Sequence, residues 1–263
     1  MFHNETVRCI QITDIHLDPE EREPQGVPAW DQFIWALDTC RGMNPDLVFI
    51  TGDLALNEGS APIYHALASL LDRAGGEVVL LPGNHDRRDL FHEAFGRRYR
   101  LDENRSTLDA VIETRGRRML LLDSADAVIH DHSLAWLDAL LESFASARKQ
   151  GAHSGSVIVW THHPPLGGFH RFMDRYYPLR NGEAFLDVCR RYRDTLHVTL
   201  FCGHYHTEHS GSRDNVTQHC TPSTWAQLDP ETEDLRPSST VPAIRVVDLD
   251  EMDRVTTTVI EPA

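Results

Sequence analysis

Residues 78–81, Val-Val-Leu-Leu, followed by Pro82-Gly83-Asn84-His85-Asp86, constrain this chain more than any other stretch. The apolar run reads as a buried strand, and Pro-Gly then forbids its continuation. An amide, an imidazole and a carboxylate follow at once, three groups that coordinate metals or move protons. Open α/β sheets keep their sites in such places, at the C-terminal ends of buried strands. Alone, Asn-His-Asp also fits a plain polar turn. What separates the two readings is whether other strand ends look the same.

Several do. Residues 7–13 alternate as a first strand and end at Asp14-Ile15-His16; two positions apart in extended chain, the carboxylate and imidazole aim to one side. Residues 46–51 form a continuous apolar strand that ends at Gly52-Asp53. Residues 157–160 end at Thr161-His162-His163-Pro164-Pro165, and residues 197–202 at Gly203-His204-Tyr205-His206. Between the first strands lie a helix with Trp30, Phe33, Ile34 and Leu37 on one face and a helix capped by Ser60 with Pro62 in its first turn. This alternation predicts an α/β layered domain with mainly parallel pairing at its start.

The middle is less regular. It reads as a short helix over 87–95, a hairpin of 108–114 with 117–123, and a helix capped by Ser133. A helix around Phe185–Tyr192, strands at 207–213 and 216–221, and a last antiparallel pair at 243–249 and 254–260 complete the chain. The loop 166–180, aromatic and partly basic, is a candidate lid or substrate wall, or else a surface loop packed by its own aromatics. Residues 229–239, acidic and proline-containing, are expected as a mobile surface excursion. No repeat and no long linker interrupts residues 1–263, so one domain is expected.

A net charge of -15 repels nucleic acid, and an anionic substrate then needs local positive charge, for which metal ions are the obvious source. Five scattered cysteines suggest buried thiols in a reducing compartment instead of a disulfide frame. Neither a leader nor a membrane span is legible, so a cytoplasmic protein with no membrane partner is expected. An edge strand or exposed helix could pair two copies into a homodimer.

Five strand ends thus carry Asp14 and His16; Asp53; Asn84 and His85; His162 and His163; and His204 and His206. Carboxylate, imidazole and amide oxygen together suit Mn, Fe, Zn or Co, and not a structural zinc held by thiolates. The ligands are too many for one ion. Two ions about 3.5–4 Å apart would use them all, which is a hydrolytic design.

In these motifs the chain resembles the calcineurin-like metallophosphoesterases: Asp14-x-His16, Gly52-Asp53, Gly83-Asn84-His85-Asp86, His162-x-Pro164 and Gly203-His204-x-His206, in family order. The resemblance implies a four-layer α/β/β/α sandwich with two metal ions at the strand ends. Asp14, His16 and His206 would hold one metal, Asn84, His162 and His204 the other, and Asp53 would bridge. The His-x-Pro spacing selects His162, with His163 as rival. His85 would face the substrate as charge stabiliser and general acid, and Asp86 would orient it. Within the family the chain looks most like the bacterial class III cyclic-nucleotide phosphodiesterases, through Gly52-Asp53-Leu54-Ala55, Leu179-Arg180-Asn181 and Thr221-Pro222-Ser223-Thr224. That implies hydrolysis of 3',5'-cyclic AMP to the 5'-monophosphate by a metal-bound hydroxide, with Asn84, His85, His206, Arg180 and Asn181 against the small phosphodiester. The alternative is a broader enzyme for glycerophosphodiesters, 2',3'-cyclic nucleotides or other phosphoesters.

Overall fold

The computed structural model describes residues 6–20, 22–99, 106–151 and 154–263. The first part runs β1 (Val7–Ile12), α1 (Ala29–Met43), β2 (Leu47–Thr51), α2 (Ala61–Leu70), β3 (Glu77–Leu81) and α3 (Arg88–Tyr99). Next come β4 (Ala110–Thr114), β5 (Arg117–Leu121), α4 (Asp131–Lys149), β6 (Ser156–Trp160), α5 (Arg171–Tyr176) and α6 (Gly182–Arg190). The rest is β7 (His197–Cys202), β8 (His209–Arg213), β9 (Val216–Cys220), β10 (Gln227–Leu228), β11 (Pro237–Ser239), β12 (Ile244–Leu249) and β13 (Val255–Ile260).

Two sheets result, ordered β13-β12-β1-β2-β3 and β4-β5-β6-β7-β9-β8. β1, β2 and β3 are parallel, as are β5, β6, β7 and β9; the antiparallel strands sit toward the edges. Alternation along each strand splits its apolar residues between two faces. Val7, Cys9, Leu47, Phe49 and Leu81 meet Met119, Leu121, Ile158, Trp160 and Phe201 of the other sheet. Trp160 stacks on Phe49 and Phe201 at ring distances of 4.0 and 4.6 Å, joining the sheets. The opposite faces take helices. Ile10, Ile12, Val48 and Ile50 pack with Phe33, Leu37, Ile63, Leu67, Phe91 and Phe95. Leu120, Val157, Val159 and Leu200 pack with Leu137, Leu141, Phe144, Phe185 and Leu186. The layers are therefore α/β/β/α, as expected, with the C-terminal ends of both parallel strand sets on one side.

Several local expectations are corrected. Ser133 does not cap α4, which starts from His130; Ser133 is buried inside the first turn and donates to Asp109 instead. Ser60 sits at the N-cap of α2, but its hydroxyl makes no cap bond. The 166–180 loop contains α5, whose N-cap His170 accepts from the Met173 amide. The 229–239 excursion lies at the surface, as expected, but comprises the connection of the β10–β11 hairpin and β11 itself, tied across its neck by Asp229 N to Arg236 O.

Candidate metal centre and substrate pocket

The site is built where the parallel strands end, because there the ladder stops and backbone polar groups must find new partners. Asp14 N bonds Gly52 O and His16 N bonds Asp53 O, extending the β1–β2 pairing past its formal end. Gly203 N bonds His162 O and does the same between β6 and β7. Asp14, His16, Asp53, His204 and His206 all hold a positive φ, between 45° and 66°. Non-glycine residues rarely adopt this region, at a cost of about 1–3 kcal/mol each, and such strain concentrates at functional sites. Gly203 makes the close approach feasible: a Cβ there would lie 2.4 Å from Asp14 Oδ2 and 2.1 Å from Thr13 Oγ1.

Two half-sites form from these ends. In the first, Asp14, His16 and His206 converge: His206 Nε2 lies 3.3 Å from Asp14 Oδ1 and 3.1 Å from His16 Nε2. In the second, His162, His163 and His204 converge, all buried. Asp53 stands between them, its Oδ1 3.4 Å from His162 Nε2 and its Oδ2 3.8 Å from His16 Nε2. Asp14 reaches across too, with Oδ1 4.0 Å from His162 Nε2.

The outward ring nitrogens are held by backbone carbonyls, which fixes each tautomer. His162 Nδ1 donates to Thr51 O, His206 Nδ1 to Ala226 O and His204 Nε2 to Tyr177 O, at 2.8, 2.8 and 2.9 Å. Each ring then turns its other nitrogen inward, which is how metal-ligating histidines are oriented. Asp14 Oδ2 accepts from Thr13 Oγ1 and His204 N, leaving Oδ1 for the centre. Asp14 Oδ1 and His162 Nε2 are buried with no hydrogen-bond partner. Buried polar atoms seldom stay unpaired, so two orphans facing one another among imidazoles and carboxylates fit metal ions as the missing partner.

The electrostatics agree. Burial alone would raise the Asp14 and Asp53 carboxyls, yet His206 and His162 hold Asp14 below the usual range and His162, His85 and His16 hold Asp53 well below it. Burial works against charge on His162, but the Asp53 and Asp14 carboxylates outweigh it and push the ring up to about 10. Burial, then the His162 charge, drives His204 down to about 4. A strong demand for cationic charge therefore sits between the two carboxylates.

The centre floors a pocket of about 290 Å³ lined by His16, Asp53, Asn84, His85, His204 and His206 together with Gln25, Leu56, Met173, Tyr177, Trp225, Leu228, Leu235 and Pro237. Asn84 is exposed at its rim, and the His85 ring is partly buried, 3.9 Å from Asp53 Oδ2. His163 differs from its neighbour. Its Nδ1 is bonded to Ser124 Oγ at 3.0 Å, and its ring lies 4.1 Å from that of His204, away from the carboxylates.

Three expected contacts are not formed. Asp86 does not orient His85: it accepts from Leu54 N, Gly83 N and Tyr64 Oη and so clamps the β2 and β3 loops together. Asn181 bonds Ile129 N and O with its amide, and Arg180 donates to Asp126 O; neither lines the pocket. In their place the walls use Tyr177, which lies in the 166–180 loop expected as a substrate wall, Trp225, and the β10–β11 hairpin, whose pairing sequence reasoning missed. A signal existed, since residues 221–225 follow β9 as the other motifs follow their strands. Ser223 Oγ donates to Asp14 O, and Trp225 N also bonds that carbonyl.

Among the described residues, no helix is long and apolar enough to cross a membrane. A zebrafish (Danio rerio) dimetal phosphatase shares the fold, with a TM-score of 0.65 at 16% identity, covering 98% of this chain and 99% of that one. A probable cyclic nucleotide phosphodiesterase of Fibrobacter succinogenes is 28% identical over 238 residues, 90% of this chain and 88% of that protein. The 3',5'-cyclic adenosine monophosphate phosphodiesterase CpdA of Escherichia coli is 28% identical over 251 residues, 92% of this chain and 85% of its own. The calcineurin-like phosphoesterase family model matches residues 7–208, a span that holds every strand end of the centre, and the chain belongs to that family of metal-dependent phosphoester hydrolases.

Proposed function

We propose that this chain is a metal-dependent phosphodiesterase that hydrolyses 3',5'-cyclic nucleotides, cyclic AMP foremost, to 5'-monophosphates. The observation that carries the reading is the pair of facing orphans, Asp14 Oδ1 and His162 Nε2, buried in the cluster whose His16, Asp53, His204 and His206 side chains line a small pocket. At about 290 Å³ the pocket lies near the lower end of the range for small-molecule sites, roughly 300–1,000 Å³. A mononucleotide suits that size better than a polymer. The names of the two bacterial relatives support the same substrate.

Asp14, His16 and His206 would hold one ion, Asn84, His162 and His204 the other, and Asp53 would touch both. Two such ions supply an activated water and neutralise the phosphoryl oxygens. The protein's own part is orientation and proton transfer. Thr51, Ala226 and Tyr177 carbonyls fix the ligand rings. His85 is open to the pocket, and an imidazole suits protonation of a departing alkoxide near neutral pH. The five cysteines are all free and buried, which supports a cytoplasmic location.

Hydrolysis of cyclic AMP by Mn-reconstituted protein, with bis(p-nitrophenyl) phosphate beside it, tests the reading. Cleavage of cyclic AMP to 5'-AMP is expected. Turnover of the generic diester alone would keep the metal chemistry and shift the substrate to glycerophosphodiesters or 2',3'-cyclic nucleotides. Turnover of neither would sink the reading.

A further inference from the structure

The pocket has two unlike halves. One is the imidazole and carboxylate floor. The other is apolar: Leu56, Met173, Tyr177, Leu228, Leu235 and Pro237. Two of these, Tyr177 at 50% and Leu235 at 58%, are among the few large hydrophobic side chains left exposed among the described residues, and both stand at this one cavity. Exposed apolar surface gathered at a pocket mouth marks a binding surface. Its backbone is tied to the centre: Tyr177 O accepts from His204 Nε2, and Leu228 N donates to His206 O. Arg171 N donates to Pro230 O and so joins α5 to the hairpin connection.

No lysine or arginine occurs among the described lining residues, and the single carboxylate, Asp53, lies within the metal-ligand cluster. This half therefore offers a charged head group no counter-charge, and burying an unpaired charge is costly. Nor is it an aromatic cage for a quaternary amine, since Trp225 is only 8% exposed and turned edge-on to His16. Flat, uncharged, partly apolar groups fit it, and a nucleobase has that chemistry.

We infer that Tyr177 and Leu235 are specificity-determining residues, the two sides of an apolar clamp that selects diesters carrying a flat, uncharged substituent over those carrying a charged head group. The inference rests on the phosphodiesterase reading above. It is tested with two chromogenic diesters sharing one leaving group, the p-nitrophenyl esters of thymidine 5'-phosphate and of phosphocholine, using the metal-loaded full chain. Wild type should favour the thymidine ester at least tenfold in kcat/KM. Leu235→Ala and Tyr177→Ala should each lower that ratio threefold or more, mainly through KM for the thymidine ester. Both side chains are half-exposed, so neither substitution endangers folding. A wild-type ratio near one, a preference for the phosphocholine ester, or a ratio unchanged in both variants would overturn the clamp while leaving the phosphodiesterase intact. Failure to cleave either ester, or bis(p-nitrophenyl) phosphate, would instead overturn the activity beneath it and the clamp with it.

Discussion

Gln11 is the buried polar residue that ties the strand ends together, and replacing it gives a test worked from geometry. Its side chain is fully buried between the sheets. Nε2 donates to Thr51 Oγ1 at 2.7 Å and to Cys202 O at 3.2 Å, and Oε1 accepts from Thr221 Oγ1 at 2.5 Å. One amide thus joins β1, β2 and β7, the strands that lead into Asp14, Asp53 and His204. Gln11→Leu keeps the volume and opens no cavity. Cys202 O keeps its bond from Thr221 N, but Thr51 Oγ1 loses its donor and Thr221 its acceptor. A buried group left unpaired costs about 1–3 kcal/mol, and relief of the Gln11 amide's own burial offsets part of this, so roughly 2–4 kcal/mol of destabilisation is expected. That corresponds to a fall in Tm of roughly 5–15 °C in a chain of this size. Urea unfolding in EDTA measures it free of metal linkage. The Gln11→Leu/Thr51→Val double variant should cost less than the sum of its singles, because removing both partners leaves one orphan fewer. A single-variant effect below about 0.5 kcal/mol, or strict additivity, would refute the claim that this amide couples the strand ends.

Three further outcomes are expected. His162→Ala should lose metal, measured as ions per chain after dialysis, whereas His163→Ala should keep its metal and lose stability, since only His162 turns its free nitrogen toward both carboxylates; equal metal loss would reverse that assignment. His85→Ala should lower kcat by about 10²-fold or more with metal content retained, and loss of metal would show that His85 is a ligand instead of a proton donor. Burial, with the Arg245 charge second, lowers His219 to about 4, so the unfolded chain binds the extra proton and stability is lost as pH falls from about 6.5 toward 4; in metal-free protein His219→Gln should flatten that slope, and an unchanged slope would count against the assignment.

The layered fold was legible because its signal is the strongest a soluble chain gives. Parallel strands covered on both faces read as unbroken apolar runs, and a ligand residue placed straight after such a run stands out. The choice within the His162-His163 doublet was legible only through the motif. Adjacent residues of extended chain point to opposite sides, and only the folded molecule says which side holds Asp53 and which holds Ser124. Asn181 misled because an amide can imitate a strand neighbour: it pairs with both backbone groups of Ile129, 52 residues away, and nothing local announces that. Asp86 misled for a related reason, since a carboxylate beside a catalytic-looking histidine serves equally well to gather donors from two loops and helix α2. The β10–β11 hairpin left no trace, because a two-residue strand paired through a register shift is too short to show alternation.

Division of the ligands between the sheets has a mechanical consequence. Asp14, His16 and Asp53 come from strand ends of one sheet, and His162, His204 and His206 from the other. Without cations, two buried carboxylates are held below their usual range by the imidazoles between them, and the His162 ring is pushed up as their counter-charge. The strain of five left-handed residues is stored at the same place. What holds the arrangement open is the neutral framework beneath it: the Gln11 amide, the Trp160 stack and the carbonyls that grip the outer ring nitrogens. The ligand set is thus preorganised by packing in which the ions take no part. Bound ions would then take over the counter-charge that His162 supplies and need not first bring the two sheets together.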